Sequence, residues 1–213
     1  MKYYPVFWDI SDKICVIVGG GEVALRKAER LLDCGAKVSI ISPKLVHELA
    51  ALKDKKLISH IAAEYSGDLL DKAALIIGAT DDEKTNAKIS KDAREKGIPV
   101  NIVDDPQKCD FILPSIVQRG DLEIAIGTGG KSPALARHLR EELEKQYGKE
   151  YGIFLNILGN LRATMEKNAG VGKDWFSSFI KAGILEFIKA GDVKKVKKIV
   201  KDITGKEVDI DVD

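Results

Sequence analysis

With 213 residues, 45% of them apolar, the chain has room for one large domain or two small ones, each with a packed core. Its 34 basic and 33 acidic residues leave a net charge of +1, which argues against a global polyanion-binding character and leaves only local basic clusters open. Cys15, Cys34 and Cys109 form no CxxC pair, and Met1-Lys2-Tyr3-Tyr4-Pro5 leads into folded-looking sequence without a long apolar stretch. A disulfide framework, a signal peptide and a membrane span are therefore disfavoured, and the expectation is a soluble cytoplasmic protein.

Cys15 to Val18 read as a buried strand, which Gly19-Gly20-Gly21 breaks; Ala24, Ala28, Leu31 and Leu32 then recur at helical spacing. Gly19-x-Gly21-x-x-Ala24 at this strand-to-helix turn fits the dinucleotide fingerprint, with alanine in third place. Glycine permits the tight turn and the approach of a pyrophosphate, whose charge the free N–H groups at the helix start attract. The plainer alternative is a tight turn that binds nothing. Lys37 to Ile41 predicts a second strand ending at Ser42-Pro43, Val46 to Leu52 a short helix, and Ile58 to Tyr65 a third strand. Ala74 to Ala79 predicts a fourth, leading into Thr80-Asp81-Asp82, where Asp or Thr caps a helix carrying Ala87, Ile89 and Ala93. Gly97-Ile98-Pro99 ends that helix before a strand from Val100 to Val103. Such alternation implies right-handed βαβ units and a parallel sheet. The ligand crevice then lies at the strands' carboxyl ends, where Gly19, Ser42, Thr80 and Asp104 converge.

The rhythm changes after Asp110. Phe111 to Val117 and Leu122 to Thr128, separated by Gln118-Arg119-Gly120-Asp121, predict a hairpin. Ser132 is the expected N-cap and Pro133 the first residue of a helix that turns Leu135, Leu139 and Leu143 inward and Arg137, Arg140, Glu141 and Glu144 outward. Three further amphipathic helices follow, marked by Tyr151 to Leu161, Trp175 to Ile180 and Val193 to Ile203, before an acidic tail from Glu207 to Asp213 that reads as a loose terminus. The fold class is α/β. A Rossmann-like parallel-sheet domain is expected over residues 1–110, a hairpin-plus-helix region over 111–147, and a small helical domain over 148–213.

A typical NAD-binding fold places an acid about 20 residues past the glycines to hold the ribose hydroxyls. Here the second strand ends in Ser42-Pro43-Lys44. Ser42 or backbone groups are left to hold the ribose and Lys44 to tolerate an extra phosphate, so NAD and NADP both stay open. Asp104 and Asp105 are adjacent in an extended segment, where successive side chains diverge; one faces the crevice, and the alternative is an Asp that merely forms a turn before Pro106. Thr128-Gly129-Gly130-Lys131 is a second glycine turn opening a helix, fit either for a carboxylate or phosphate or for a plain flexible connection. His47, His60 and His138 are far apart without Cys/His clustering, so no metal site is expected. Arg26, Lys27, Arg137 and Arg140 read as solvated helix-face charges, to which a many-carboxylate substrate would give a purpose. The Lys194-Lys195 and Lys197-Lys198 pairs read as the wet face of an amphipathic helix, and no nucleic-acid partner is expected.

Taken in order, Tyr4-Pro5-Val6-Phe7, Val18 to Ala24 with Arg26-Lys27, Ala79-Thr80-Asp81-Asp82, Asn101-Ile102-Val103-Asp104, Phe111-Ile112-Leu113-Pro114-Ser115 and Gly129 to Ala136 resemble the siroheme-synthase N-terminal family of precorrin-2 dehydrogenases and sirohydrochlorin ferrochelatases. The resemblance covers roughly the first two-thirds of the chain. It implies NAD-dependent oxidation of precorrin-2, a polycarboxylate tetrapyrrole, to sirohydrochlorin, with Asp104 as the important aspartate. It implies that Glu22, Val23, Pro43 and Lys44 line the cofactor, alongside the Gly19, Gly20, Gly21, Ser42 and Thr80 read from the strand ends, and Asn101, Thr128, Gly129, Gly130 and Lys131 are expected at the substrate. It also implies a homodimer joined through the hairpin-plus-helix region. Some relatives insert Fe²⁺ or Co²⁺ into sirohydrochlorin, so a bifunctional or chiefly chelatase enzyme is one alternative; a non-catalytic NAD-sensing module, suggested by the missing ribose acid, is another.

Overall fold

The computed structural model describes residues 2–164, 172–207 and 209–210, so part of the acidic tail lies outside the described residues. The chain divides into two compact units, Met1–Leu113 and Pro114–Asp213.

The first unit is built on a five-stranded parallel sheet. Its strands are β1 (Ile14–Val18), β2 (Lys37–Ile41), β3 (Ile58–Ile61), β4 (Leu75–Gly78) and β5 (Val100–Ile102), in the order β3-β2-β1-β4-β5. The strand order reverses beside β1, which creates the switch point where such sheets bind ligands. β1 and β4 are apolar throughout because helices cover both faces of a parallel sheet. The crossover helices are α1 (Glu22–Asp33), α2 (His47–Asp54) and α3 (Glu83–Glu95). Ala24, Ala28 and Leu31 of α1 pack with Cys15, Ile17 and Ile40 on one face, and Ile89 and Ala93 of α3 pack with Val16, Val18 and Ile76 on the other. Asp82 caps α3, accepting from the Thr85 N–H at 2.9 Å.

Two strand expectations shift. β3 stops at Ile61 rather than Tyr65, because its partner β2 ends at Ile41, directly opposite Ile61, and the Ala63 N–H turns back to the Ile61 carbonyl. The first hairpin strand begins at Ser115, past Pro114, which has no N–H to give a ladder.

In the second unit, β6 (Ser115–Arg119) and β7 (Leu122–Ile126) form the antiparallel hairpin. Then come α4 (Pro133–Gln146), α5 (Lys149–Thr164), α6 (Gly172–Lys181), α7 (Ile184–Lys189) and α8 (Val193–Thr204). Ser132 caps α4 by accepting from the Leu135 N–H at 3.2 Å. Phe154, Ile157 and Leu161 of α5 join Phe179, Ile184, Ile188, Val196 and Val200 in one core. The six-residue α7, bounded by Gly183 and Gly191, was not expected, since so short a run shows too little periodicity.

Leu135 and Leu139 of α4 do not turn inward. They are 49% and 40% exposed, and Ala136 is the buried residue of that helix. Periodicity identified the apolar face but not what covers it. Arg119 ties the hairpin to α4, donating to the carbonyls of Tyr147 and Glu144 at 2.9 and 3.1 Å. α5 approaches the same strand so closely that a Cβ on Gly152 would overlap the Arg119 carbonyl oxygen. Gly152→Ala is therefore expected to cost about 1–3 kcal/mol through overpacking, read as a lower urea midpoint; an unchanged midpoint would show the α5–hairpin contact to be compliant.

Candidate functional site

The carboxyl ends of the parallel strands open into a crevice of about 880 Å³, the size of a small-molecule site. Gly19, Gly20, Gly21, Glu22, Val23, Ser42, Pro43, Lys44, Thr80 and Asp104 all line it.

Its floor is the glycine turn. Gly19 has φ +124°, and a Cβ there would overlap the Ala79 carbonyl oxygen; one on Gly20 would overlap that of Lys44. Hydrogen bonds clamp the same junction: Gly19 N–H to the Ile41 carbonyl at 2.9 Å, Ala79 N–H to Val18 at 2.8 Å, and Val46 N–H to Gly20 at 2.8 Å. Gly21 differs. A Cβ there would meet nothing within 4 Å, and no side chain caps α1. The first-turn N–H groups of α1 are left without an intrahelical partner, facing open space at the positive end of the helix dipole. This cradle fits a pyrophosphate and supplies backbone donors for it.

Ser42 and Thr80 are more committed than their positions suggested. The Ser42 hydroxyl donates to the Lys44 carbonyl at 2.7 Å, and His60 Nε2 bonds the Ser42 carbonyl at 2.8 Å. The Thr80 hydroxyl faces Asn86 Oδ1 at 2.9 Å, while Asn86 Nδ2 donates to the Thr80 carbonyl at 2.9 Å, closing the entry to α3.

Asp104 and Asp105 part company, but at a turn after β5 rather than along the extended segment expected from the sequence. Asp105 is paired with Lys108, whose hydrogen bond holds its carboxyl below the usual range. Asp104 lines the crevice from the left-handed region, at φ 61°, and its carboxylate makes no hydrogen bond or ion pair among the described residues. The loop that carries it is tied at both ends. Asn101 donates to the Phe111 carbonyl at 2.9 Å, and the buried Cys109 sulfur accepts from the Ile102 N–H at 3.2 Å. Asn101, expected at the substrate, is buried and spent on this staple, and does not line the crevice. Thr128, Gly129, Gly130 and Lys131 lie in the second unit, in the connection from β7 to α4, where Thr128 Oγ1 accepts from the Ser132 N–H at 3.3 Å. Arg137 and Arg140 pair along α4 with Glu141 and Glu144, at 2.9 and 2.7 Å.

Two features escaped the sequence. Ala63, Glu64 and Tyr65 line the crevice, hidden by the expectation that the third strand runs through them. Lys27, read as a solvated charge, is half-buried on α1, one turn beyond the crevice-lining Val23. Its ammonium pKa is lowered, first by desolvation and then by Arg26, while the Asp104 carboxylate pulls the other way. Its position four residues after Val23 was the available signal.

A profile described as "Putative NAD(P)-binding" matches residues 6–115. The chain belongs to this family. A second profile, "Sirohaem biosynthesis protein central", matches residues 119–146. The siroheme synthase of Thioalkalivibrio sulfidiphilus is 44% identical over 162 residues, covering 76% of this chain and 33% of the relative. That of Photobacterium profundum is 41% identical over 167 residues, covering 78% and 36%. The chain thus spans about a third of the length of these curated relatives. Among solved structures, SirC, precorrin-2 dehydrogenase, superposes with a TM-score of 0.73 at 23% identity, covering 96% of this chain and 100% of that one, and so shares the fold. Among the described residues no helix is long and apolar enough to cross a membrane.

Because the folded-state pKa of Lys27 lies below its ordinary 10.5, the unfolded chain binds that proton more tightly, and the cost of the buried charge is present below this range and fades as pH rises through it. Lys27→Met is expected to stabilise the protein by about 0.5 kcal/mol near neutral pH, an amount kept small by the solvent that still screens the amine. In urea titrations the advantage should shrink as pH approaches 10.5; a constant advantage would assign it to packing instead.

Proposed function

We propose that this chain is an NAD-dependent dehydrogenase that oxidises precorrin-2 to sirohydrochlorin. The observation that carries the reading is Asp104: a carboxylate without a competing partner, held by a stapled loop on the wall of the crevice whose floor is the glycine turn. The siroheme synthase relatives and the fold shared with a precorrin-2 dehydrogenase support the substrate.

In this reading the α1 N–H groups and the glycine backbone hold the cofactor's pyrophosphate. NAD⁺, when bound there, would supply the acceptor for the hydride. Asp104 takes the proton lost with it, so precorrin-2 and NAD⁺ give sirohydrochlorin, NADH and a proton that leaves through the carboxyl group. Leu135 and Leu139, exposed on α4, supply an apolar face for the homodimer that belongs to this reading.

Anaerobic precorrin-2 with NAD⁺ is expected to give NADH and sirohydrochlorin together, followed by absorbance; neither product would sink the dehydrogenase. Metal incorporation on adding Fe²⁺ or Co²⁺ to supplied sirohydrochlorin would add chelation to the same crevice. Asp104→Ala is expected to slow turnover by about 100-fold or more while NAD⁺ affinity barely changes, and an unchanged rate would remove Asp104 from the mechanism. Gly21→Asp separates fold from function. Aspartate suits the N-cap and has space here, so stability should hold within a few tenths of a kcal/mol. Its charge at the pyrophosphate cradle should abolish NAD⁺ binding in calorimetry; retained binding would move the cofactor elsewhere.

A further inference from the structure

An acid, Glu64, stands just past the end of the next strand, where the ribose acid is missing from β2. In dinucleotide-binding sheets the acid at the end of the second strand accepts from the ribose hydroxyls. In this chain β2 leads into Ser42-Pro43-Lys44, and the Ser42 hydroxyl and carbonyl are both engaged within the first unit, by the Lys44 carbonyl and by His60. β3 runs parallel to β2 with Ile61 opposite Ile41, and the Ser42 N–H donates to the Ile61 carbonyl at 3.1 Å. The two strands therefore release their chains side by side at the same edge of the crevice. There Glu64 lines the wall, exposed, with a carboxylate that makes no hydrogen bond or ion pair among the described residues. Lys44 lines the same crevice and is likewise without an ion pair among them. The segment after Glu64 is anchored: the Tyr65 hydroxyl donates to Asp92 Oδ2 at 3.0 Å, and Lys88 sits 5.6 Å from the ring centre.

We propose that Glu64 takes over the ribose-binding role and makes this crevice select NAD⁺ over NADP⁺. The inference rests on reading the crevice as the dinucleotide site. A carboxylate accepts from ribose hydroxyls through charge-assisted hydrogen bonds. A phosphate on the 2′ oxygen removes a donor and brings a second negative charge against Glu64. Lys44 opposes this by attracting the same phosphate, so selectivity is the balance of one acid and one base placed on neighbouring strand exits.

Calorimetric titration of the full chain with NAD⁺ and with NADP⁺ tests this without relying on turnover. Wild-type protein is expected to bind NAD⁺ more tightly by about tenfold or more, the scale of one charge-assisted contact. Glu64→Gln, which keeps the side chain's size, should weaken NAD⁺ binding and shift the ratio of the two dissociation constants about tenfold toward NADP⁺. Lys44→Gln should shift it the other way. Thermal melts of both variants check that the fold is intact. A Glu64→Gln ratio equal to that of the wild type, or a wild type indifferent to the two dinucleotides, overturns the role of Glu64 alone. A wild type that binds neither dinucleotide overturns the site itself and the role of Glu64 with it.

Discussion

At the exit of β1 the backbone passes two other loops at contact distance. Gly19 lies against the Ala79 carbonyl after β4, and Gly20 against the Lys44 carbonyl after β2. Hydrogen bonds from Gly19, Ala79 and Val46 lock the three exits together. Almost everything the crevice offers follows from this junction. It starts α1 with uncapped N–H groups, sets the β2 exit beside them, and leaves the third glycine, Gly21, facing open space. A methyl group at either of the first two positions would have to push a carbonyl aside, and with it one wall of the crevice.

On the far side of the switch point a second constraint acts. β5 has only three residues, too few to aim the loop that follows it. The Asn101 amide, the Cys109 sulfur and the pairing of Asp110 with Val100 do so instead, bringing the chain back against its own strand within ten residues. Asp104 sits at the apex of this closed loop in a left-handed conformation that aspartate tolerates better than most residues. The junction and the loop are independent devices. One presents backbone donors and the other a carboxylate, on opposite sides of the point where the strand order reverses.

The sheet was legible because buried parallel strands are apolar runs and the glycines punctuate them; β1, β2 and β4 fall where Cys15 to Val18, Lys37 to Ile41 and Ala74 to Ala79 placed them. What stayed hidden depends on partners distant in sequence. Leu135 and Leu139 have helical spacing, but spacing carries no information about whether their own chain covers them. Asn101 is polar at a strand end, and only the return of Phe111 shows that its amide is spent. The run from Ile58 to Tyr65 keeps strand character past the point where β2 stops providing a partner, which disguised Glu64 as part of the sheet. Lys27 looked solvated because a long side chain's burial depends on what its stem lies against.

The thiols of the first unit have a chemical consequence of their own. Burial raises the Cys15 thiol to about 11 and raises Cys109 as well. Both therefore remain protonated at neutral pH, and the thiolate is the form that attacks alkylating reagents, peroxides and disulfides. Cys109 serves its loop as an inert sulfur acceptor, and Cys34 is the cysteine at the surface. The buried sulfurs of the first unit thus stay out of thiol chemistry, and an oxidising or alkylating challenge to its cysteines falls on Cys34 at the end of α1, away from the glycine turn.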